Sequence, residues 1–274
     1  MCTIVAIKRA GAQLPLVVGA NRDEFYARAS APPRRLPGTD EQSPPILAGV
    51  DLVKGGTWMG ANALGIFVAL TNQRQHSGAD ESRASRGDVV MRALAHRGVA
   101  EIDAFLGTLD AREYNGFNLL YGDATNLHVA YARSDRASVE VEALRDGVWV
   151  LPNDRMDSPD FPKAERARGF AEACQDRPWA EQATELRRAL GDHDVPPLAQ
   201  IPAPPEGSIF THEVLQALQS ICVHTPIYGT CSATLLALRP GAVHYYGYAD
   251  GPPCQRAFAD VTGRLDTPSS ESLR

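Results

Sequence analysis

The chain has 274 residues and a formal net charge of -6, with 44% hydrophobic and 22% charged residues. This length suits one sizeable core, so we expect a single domain over residues 1–261 and a polar tail over residues 262–274. The acidic balance argues against a nucleic-acid partner, and the short apolar runs argue against integral membrane association. The N-terminus lacks the charged leader and long apolar segment of a signal peptide, which favours a cytoplasmic location.

The first thirty residues predict a β-hairpin. Strands over residues 3–7 and 14–20 flank Arg9-Ala10-Gly11, which favours a turn. The polar run Asn21-Arg22-Asp23-Glu24 follows the second strand directly. Between residues 28 and 52, five prolines predict a long surface loop rather than regular structure.

The rest of the chain predicts further hairpins and two groups of helices. Residues 55–70 form a second predicted hairpin, and Ser85-Arg86-Gly87-Asp88 has the spacing of a helix capping box. A meander of four strands is expected over residues 117–121, 127–131, 139–143 and 148–151. Helices are expected over residues 85–94, 99–109, 161–174 and 181–190, a proline-rich connector over 196–205, and strands near 232–238, 243–248 and 256–260. Hairpin connections and alternating strand and helix groups predict an α+β fold, a four-layer αββα sandwich with antiparallel sheets.

Cys2 is the sharpest chemical feature. Aminopeptidases readily remove Met1 before a small residue, which leaves one residue carrying both a thiol and a free α-amine. An α-amine titrates near pH 8, so it can act as general base for its own side chain. The alternative is that Cys2 merely begins a buried strand.

The polar run at residues 21–24 strengthens the first interpretation, because the hairpin brings it to the same sheet end as Cys2. Arg22 could hold a thiolate or a substrate carboxylate, and Asp23 could anchor the ammonium of a new N-terminus. The alternative is a solvated charged turn.

Eight ordered motifs, spread from the first residue to about Phe258, together resemble the NRDE family, also called the transport and Golgi organisation two family. They are Met1-Cys2-Thr3, Asn21-Arg22-Asp23-Glu24, Gly56-Thr57-Trp58, Leu70-Thr71-Asn72, Ser85-Arg86-Gly87, Tyr114-Asn115-Gly116-Phe117-Asn118, Leu151-Pro152-Asn153 and Tyr228-Gly229-Thr230. The resemblance implies an Ntn-hydrolase-like αββα sandwich. It also implies a distant likeness to choloylglycine hydrolases and penicillin V acylases, which cleave amides through an N-terminal cysteine.

The resemblance implies four catalytic residues. Cys2 would be nucleophile and base, Asp23 would position the α-amine, and Asn72 and Asn153 would lie near the oxyanion or the substrate carbonyl. Turn formation is the alternative role for the two asparagines. We expect further polar and aromatic side chains in or beside the motifs to bind substrate, namely Asn21, Arg22, Glu24, Trp58, Arg74 and Tyr228.

Two positions depart from the related patterns. The acylases carry arginine where this chain has Ala20, and NRDE members commonly carry arginine where it has Cys231. Since side chains two residues apart in a strand share a face, Arg22 could substitute for the arginine that is missing at position 20. The cysteine at position 231 removes a permanent cation.

Two functions remain open. The first is hydrolysis of a C–N amide or thioester bond through Cys2 after Met1 removal. The second is a non-catalytic carrier with the same pocket, since NRDE members are associated with haem trafficking and acyl-CoA handling. The ligand is then a small or lipid-like molecule, an amide, acyl-CoA or haem. A structural partner-binding domain is the fallback.

No cofactor is required by these patterns, although haem is conceivable as cargo with Cys2, Cys231 or a histidine as axial ligand. The five cysteines are an odd number without regular spacing, which predicts free thiols. Cys222 and Cys231 flank the Tyr228 turn, where pairing or haem ligation is conceivable, but buried thiols are favoured. His76, His224 and His244 are scattered without metal-ligand spacing, so no metal site is predicted. The sequence does not indicate an oligomeric state.

Overall fold

Two antiparallel β-sheets form the centre of the protein in the computed structural model, which describes residues 2–40, 42–75 and 78–266. The six-stranded sheet has the order β10-β1-β2-β11-β12-β13, and the seven-stranded sheet has the order β3-β4-β5-β6-β7-β8-β9. The strands are β1 (Thr3–Lys8), β2 (Leu16–Phe25), β3 (Ser30–Leu36), β4 (Ile46–Asp51), β5 (Met59–Asn62), β6 (Phe67–Asn72), β7 (Phe117–Gly122), β8 (Leu127–Ala132), β9 (Val139–Ala143), β10 (Gly147–Leu151), β11 (Tyr228–Arg239), β12 (Ala242–Ala249) and β13 (Ala259–Asp260).

Helices cover the outer face of each sheet. α1 (Arg86–Leu94) and α2 (Val99–Leu106) share one apolar cluster with the seven-stranded sheet, and α3 (Pro162–Cys174) and α4 (Trp179–Leu190) share another with the six-stranded sheet. A short helix, α5 (His212–Ala217), precedes β11. A third apolar cluster lies between the sheets. The predicted four-layer αββα sandwich is therefore confirmed. No helix in the described part of the chain is long and apolar enough to cross a membrane.

The alternation of side chains along β1 explains why both of its faces are buried. Ile4 and Ala6 pack between the sheets, whereas Val5 and Ile7 pack against the helical layer. Each face therefore removes apolar surface from water, and the strand reads as a continuous apolar run.

The first hairpin forms as predicted, but its second strand is longer than expected. β2 continues to Phe25, so Asn21 to Glu24 lie inside the strand and not after its end. The reason is tertiary. β11 pairs with the other edge of β2 as far as Phe25, and this ladder holds the polar residues in extended backbone. Asn21 in turn lies opposite Thr3 of β1, which brings the polar run beside the N-terminus.

The predicted loop over residues 28–52 is wrong, because β3 and β4 form there. Pro32 and Pro33 lie in β3, which is the edge strand of its sheet and has a register shift between Ala31 and Arg34. Proline is tolerated at such positions, since no neighbour requires its missing N–H.

The predicted meander is confirmed only for its first three strands. β7, β8 and β9 pair in sequence, but β10 pairs with β1 in the other sheet. The predicted helix after Ser85 is present, but the Ser85 side chain makes no capping hydrogen bond. The helix α5 was not predicted.

The end of the described chain packs against β12. A 3-10 helix forms over Thr262–Leu265, and the Thr262 hydroxyl accepts a hydrogen bond of 2.7 Å from the Tyr246 backbone N–H. The Leu265 side chain is buried. The described structure therefore continues to residue 266. Residues 267–274 of the predicted tail lie outside the described residues.

Candidate active site

A cavity of about 180 Å³ opens at the end of the two sheets where β1 begins. Its lining comes from the start of β1, the end of β2, the end of β6 and the segment that leads into α1. Half of the lining residues are charged, with equal numbers of acidic and basic side chains, so the cavity suits a polar ligand group. A smaller recess of about 10 Å³, large enough for one water, continues past Cys2 between the sheets.

Cys2 lines both the cavity and the recess and is buried. It precedes β1 on the face shared by Ile4, between the sheets. Burial raises the pKa of its thiol, and the Asp23 carboxylate acts in the same direction. The Arg22 guanidinium and a hydrogen bond from the Asp23 backbone N–H lower it. The charges of Arg22 and Asp23 on β2 therefore act on the Cys2 thiol in opposite directions.

Asp23 lies beside Cys2 with a buried carboxylate. Its Oδ1 accepts a hydrogen bond of 2.6 Å from the Thr230 hydroxyl, which itself accepts one of 2.9 Å from the Val223 backbone N–H. Burial raises the pKa of the Asp23 carboxyl, whereas the Lys163 charge and the Thr230 hydrogen bond lower it. The carboxylate is therefore held in one orientation by β11.

Lys163 is a functional candidate that the sequence did not reveal. It lies in the first turn of α3, is fully buried, and its Nζ has no hydrogen-bond partner among the described residues. Burial lowers the pKa of its ammonium, and the charges of Asp23 and Cys2 act in the opposite direction. A cation in the first turn also opposes the helix dipole. The buried alanines of α3 provided a signal, because Lys163 immediately precedes them on the buried side of the helix.

Two arginines face the cavity near Cys2. The Arg22 guanidinium lies over the Trp58 ring at 4.4 Å from its centroid, which fixes a long side chain against a flat surface. Arg86, the first residue of α1, also lines the cavity, and its charge interacts with Cys2. Arg86 belongs to the Ser85-Arg86-Gly87 motif, which the sequence linked to helix capping and to the family resemblance but not to ligand binding. The structure thus supplies cations although position 231 carries none.

Cys231 does not line the cavity or its recess. It falls at the irregularity in the β2–β11 ladder, since Thr230 pairs with Asp23 and Ser232 pairs with Arg22. Its thiol lies 3.4 Å from the Gly229 carbonyl and 3.5 Å from the Glu24 carbonyl. Such a bulge redirects the side chain of the extra residue.

Asn72 and Asn153 have different surroundings. Asn72 lines the cavity. Asn153 is buried and does not line it, and its amide donates a hydrogen bond of 2.6 Å to the Asn72 backbone carbonyl. In this geometry Asn153 positions the Asn72 backbone, and the hydrogen bond to that carbonyl occupies the Asn153 amide.

Arg74 also lies behind the site. Its backbone N–H donates to the Asn153 carbonyl at 2.8 Å, and its guanidinium packs 3.9 Å from the centroid of the Phe161 ring. Burial lowers the pKa of Arg74. The structure therefore does not bring Arg74 to the cavity.

Of the remaining predicted residues, some line the cavity and others hold its walls in place. Glu24 and Trp58 line the cavity. Asn21 lines only the inner recess, and its amide donates to the carbonyls of Leu190 and Ile221 at 2.8 Å and 2.9 Å. The Tyr228 hydroxyl donates 2.8 Å to the Asp23 carbonyl, which ties β11 to β2. Tyr228 supports the site without lining it.

Close backbone packing holds the segment before α1 against the cavity. Gly56 has a φ of +76°, and a Cβ at this position would lie 2.5 Å from the Gly87 carbonyl carbon. Asn115 clamps the same wall, since its side chain both donates to the Asp80 carbonyl at 2.7 Å and accepts from the Asp80 N–H at 2.9 Å. The glycine and asparagine motifs are thus explained by the shape of the cavity wall.

Within residues 2–40, 42–75 and 78–266, the one cluster of possible metal ligands lies outside the cavity. It contains His224, which the sequence treated as an isolated histidine. His244 is exposed on β12. His76 lies outside the described residues.

Similar proteins were found at the level of sequence. The bovine Transport and Golgi organization protein 2 homolog is 28% identical over 236 residues, which cover 81% of each chain. The human homolog is 29% identical over 233 residues, also 81% of each chain.

Solved structures share the fold at low identity. A mutant conjugated bile acid hydrolase from Clostridium perfringens superposes with a TM-score of 0.58 at 14% identity, over 97% of this chain and 94% of that chain. Penicillin V acylase from Agrobacterium tumefaciens gives 0.55 at 13% identity, over 97% and 88%. A Caenorhabditis elegans N-acylethanolamine-hydrolyzing acid amidase ortholog gives 0.55 at 13% identity, over 88% and 93%.

The likeness to these three structures establishes the Ntn-hydrolase fold. The family model for Transport and Golgi organisation 2 matches residues 1–246, which include all of the cavity lining. This chain therefore belongs to the Transport and Golgi organisation 2 family.

Proposed function

We propose that the protein hydrolyses a C–N amide or a thioester bond, with Cys2 as an N-terminal nucleophile after removal of Met1. The observation that carries the proposal is the convergence of Cys2, Arg22, Asp23 and Asn72 on one cavity. A nucleophile, a carboxylate for its amine, a cation and an amide donor are the parts that acyl transfer requires.

In the proposed reaction the Cys2 α-amine accepts the thiol proton while Sγ attacks the substrate carbonyl carbon. The new S–C bond forms, and the C–N bond of an amide or the C–S bond of a thioester breaks. The proton passes from the α-amine to the leaving group. Water then attacks the acyl-Cys2 carbonyl, so that the products are a carboxylic acid and an amine or thiol, and the thiol is regenerated.

The surroundings of Cys2 support this division of roles. Burial raises the pKa of the Cys2 thiol, so its attack requires a base that takes the proton, and the Arg22 charge acts against this rise. Asp23, oriented by Thr230, provides the negative charge for an adjacent ammonium. Asn72 lines the same cavity and can donate its amide to the oxyanion, while Asn153 holds the Asn72 backbone.

The size and polarity of the cavity favour hydrolysis over transport of haem. A volume of about 180 Å³ is smaller than the roughly 300–1,000 Å³ of pockets that enclose drug-sized ligands. Its charged lining also contrasts with the apolar pocket that a haem carrier needs. We therefore propose a small acyl or amide group as the part of the substrate that enters the cavity.

The test uses purified full-length protein and a panel of N-acyl amides and acyl thioesters that differ in acyl length. We expect turnover of at least one substrate class by the wild-type protein and its loss in Cys2→Ala. Cys231→Ser is the matched control, because it removes a neighbouring thiol that does not line the cavity, and it should retain turnover.

Full turnover in Cys2→Ala would remove Cys2 from the mechanism. Absence of turnover together with stoichiometric binding of haem or acyl-CoA would favour the carrier instead. Haem binding is read from the Soret band, and acyl-CoA binding by calorimetry.

A further inference from the structure

Four side chains from separate segments form a cluster of metal-ligand type, which we call the His–Cys cluster. It contains His193 after α4, Cys222 and His224 before β11, and Cys254 after β12. All four ligand atoms lie within 4.8 Å of one another. None of these residues lines the catalytic cavity, so the cluster is not explained by the proposed hydrolysis.

The spacing of the ligand atoms matches the edges of a zinc tetrahedron. Zn–S bonds of about 2.3 Å and Zn–N bonds of about 2.0–2.1 Å place two sulfurs about 3.8 Å apart and a sulfur and a nitrogen about 3.6 Å apart. The Sγ atoms of Cys222 and Cys254 are 3.7 Å apart. His224 Nε2 lies 3.7 Å from Cys222 Sγ and 3.3 Å from Cys254 Sγ. Three edges of the tetrahedron therefore agree to within a few tenths of an ångström.

His193 has the second hydrogen bond that is typical of a metal-ligating histidine. Its Nδ1 lies 3.1 Å from the Cys222 backbone carbonyl oxygen, which only accepts. Nδ1 is thus the protonated nitrogen, and Nε2 keeps a lone pair for a metal. The rings of His193 and His224 lie with centroids 5.0 Å apart, so the two imidazoles approach the cluster side by side.

A disulfide does not account for this geometry. The Cys222 and Cys254 sulfurs are well beyond the bond length of about 2.05 Å, and both cysteines are free. A set of two thiolates and two imidazoles selects zinc over the hard cations, which prefer oxygen ligands. Four protein ligands leave no open position, which is typical of a structural rather than a catalytic site.

We propose that His193, Cys222, His224 and Cys254 bind one structural Zn²⁺ ion. The ion joins the end of α4, the segment before β11 and the loop after β12.

The residues beside the ligands connect this site to the support of β2. The Ile221 carbonyl accepts from Asn21, and the Val223 N–H donates to the hydroxyl of Thr230, which orients Asp23. Both residues flank Cys222. Zinc therefore stabilises the segment that holds the polar part of β2, whatever reaction the cavity performs.

The first test measures zinc in untagged wild-type protein, purified without chelators from zinc-supplemented medium and desalted. Elemental analysis should give one zinc per chain. Replacement by Co²⁺ should give the visible d–d bands of tetrahedral cobalt and a thiolate-to-cobalt charge-transfer band. A protein that holds no zinc after desalting, or a disulfide between Cys222 and Cys254 in the native mass spectrum, overturns the proposal.

The second test compares two cysteine variants. Cys254 is exposed, so Cys254→Ser should fold, and it should bind zinc at least about 100-fold more weakly in competition with a chromophoric chelator. Cys174→Ala is the matched control, because Cys174 is a buried thiol of α3 outside the cluster, and it should keep one zinc. Equal zinc affinity of Cys254→Ser and wild type contradicts the assignment.

Discussion

Thr230 provides a direct measure of how strongly β11 supports Asp23. The substitution Thr230→Val keeps the size and β-branched shape of a buried side chain but removes its hydroxyl. Asp23 Oδ1 then loses a donor at 2.6 Å, and the Val223 N–H loses an acceptor at 2.9 Å. A hydrogen bond to a charged group contributes about 1.5–3 kcal/mol, and an unsatisfied buried donor costs about 1–3 kcal/mol. We expect the free energy of unfolding to fall by about 3 kcal/mol or more.

Thr230→Ser is the matched control, because it keeps the hydroxyl and removes one methyl group, at a cost of about 1 kcal/mol. Urea unfolding of the three proteins, followed by circular dichroism at pH 7, measures the difference. Thr230→Val should be less stable than Thr230→Ser by about 2 kcal/mol. Equal stability of the two variants would refute the inferred hydrogen-bond network.

The same pair predicts a pH dependence of known sign. Burial raises the pKa of Asp23 above 3.8, and the Thr230 hydrogen bond lowers it, so Thr230→Val raises it further. A carboxyl whose folded-state pKa is raised binds its proton more tightly when folded, and this contribution is lost as pH rises through the folded pKa. In Thr230→Val this loss of stability extends to higher pH, because the folded-state pKa of Asp23 is higher. The stability deficit of this variant should therefore grow as pH rises above the ordinary carboxyl pKa of 3.8, whereas that of Thr230→Ser should stay constant.

Three further outcomes are expected. Gly56→Ala should be less stable than Gly55→Ala by about 1–3 kcal/mol in urea unfolding. Both glycines have positive φ, but only a Cβ at residue 56 meets the Gly87 backbone. Equal losses of unfolding free energy would mean that backbone strain alone acts. Lys163→Met should reduce the rise of stability with pH below the ordinary lysine pKa of 10.5, since burial lowers the folded-state pKa and the unfolded chain binds the extra proton. An unchanged slope would contradict the lowered pKa of Lys163. Asn72→Ala should lower kcat about 100-fold with stability unchanged, whereas an unaltered kcat would exclude an oxyanion role.

The sequence predicted the elements whose pattern is local. The β1–β2 and β5–β6 hairpins follow from apolar strands joined by turn residues, and α3 and α4 follow from helical periodicity. The four-layer arrangement follows from these elements because each sheet face must be covered by apolar surface.

Features that depend on partners distant in sequence were missed. The pairing of β11 with β2 extends the strand through the polar run that was predicted to follow it, and the edge position of β3 permits its prolines. β10 joins β1 across the chain, and no local pattern indicates which sheet it enters.

The candidate site shows the same division. Cys2, Arg22, Asp23 and Asn72 were predicted from motifs, and the structure brings them to one cavity. Lys163 was missed, because a lysine within a helix is ordinarily a solvated residue and only the packing of α3 buries it. The His–Cys cluster was missed because Cys222 and Cys254 are 32 residues apart and meet only through the β11–β12 hairpin.

In the proposed hydrolysis Cys2, as the N-terminal residue, forms an acyl intermediate. The most direct measurement is the intact mass of the purified protein, followed by rapid acid quench during turnover and peptide mapping of the acylated residue. We expect a chain that begins at Cys2 and carries the acyl group on Sγ. No adduct should form in Cys2→Ala or in a variant that keeps an uncleaved extension before Cys2. Turnover by a chain that keeps Met1, or an acyl group on any other residue, would contradict it.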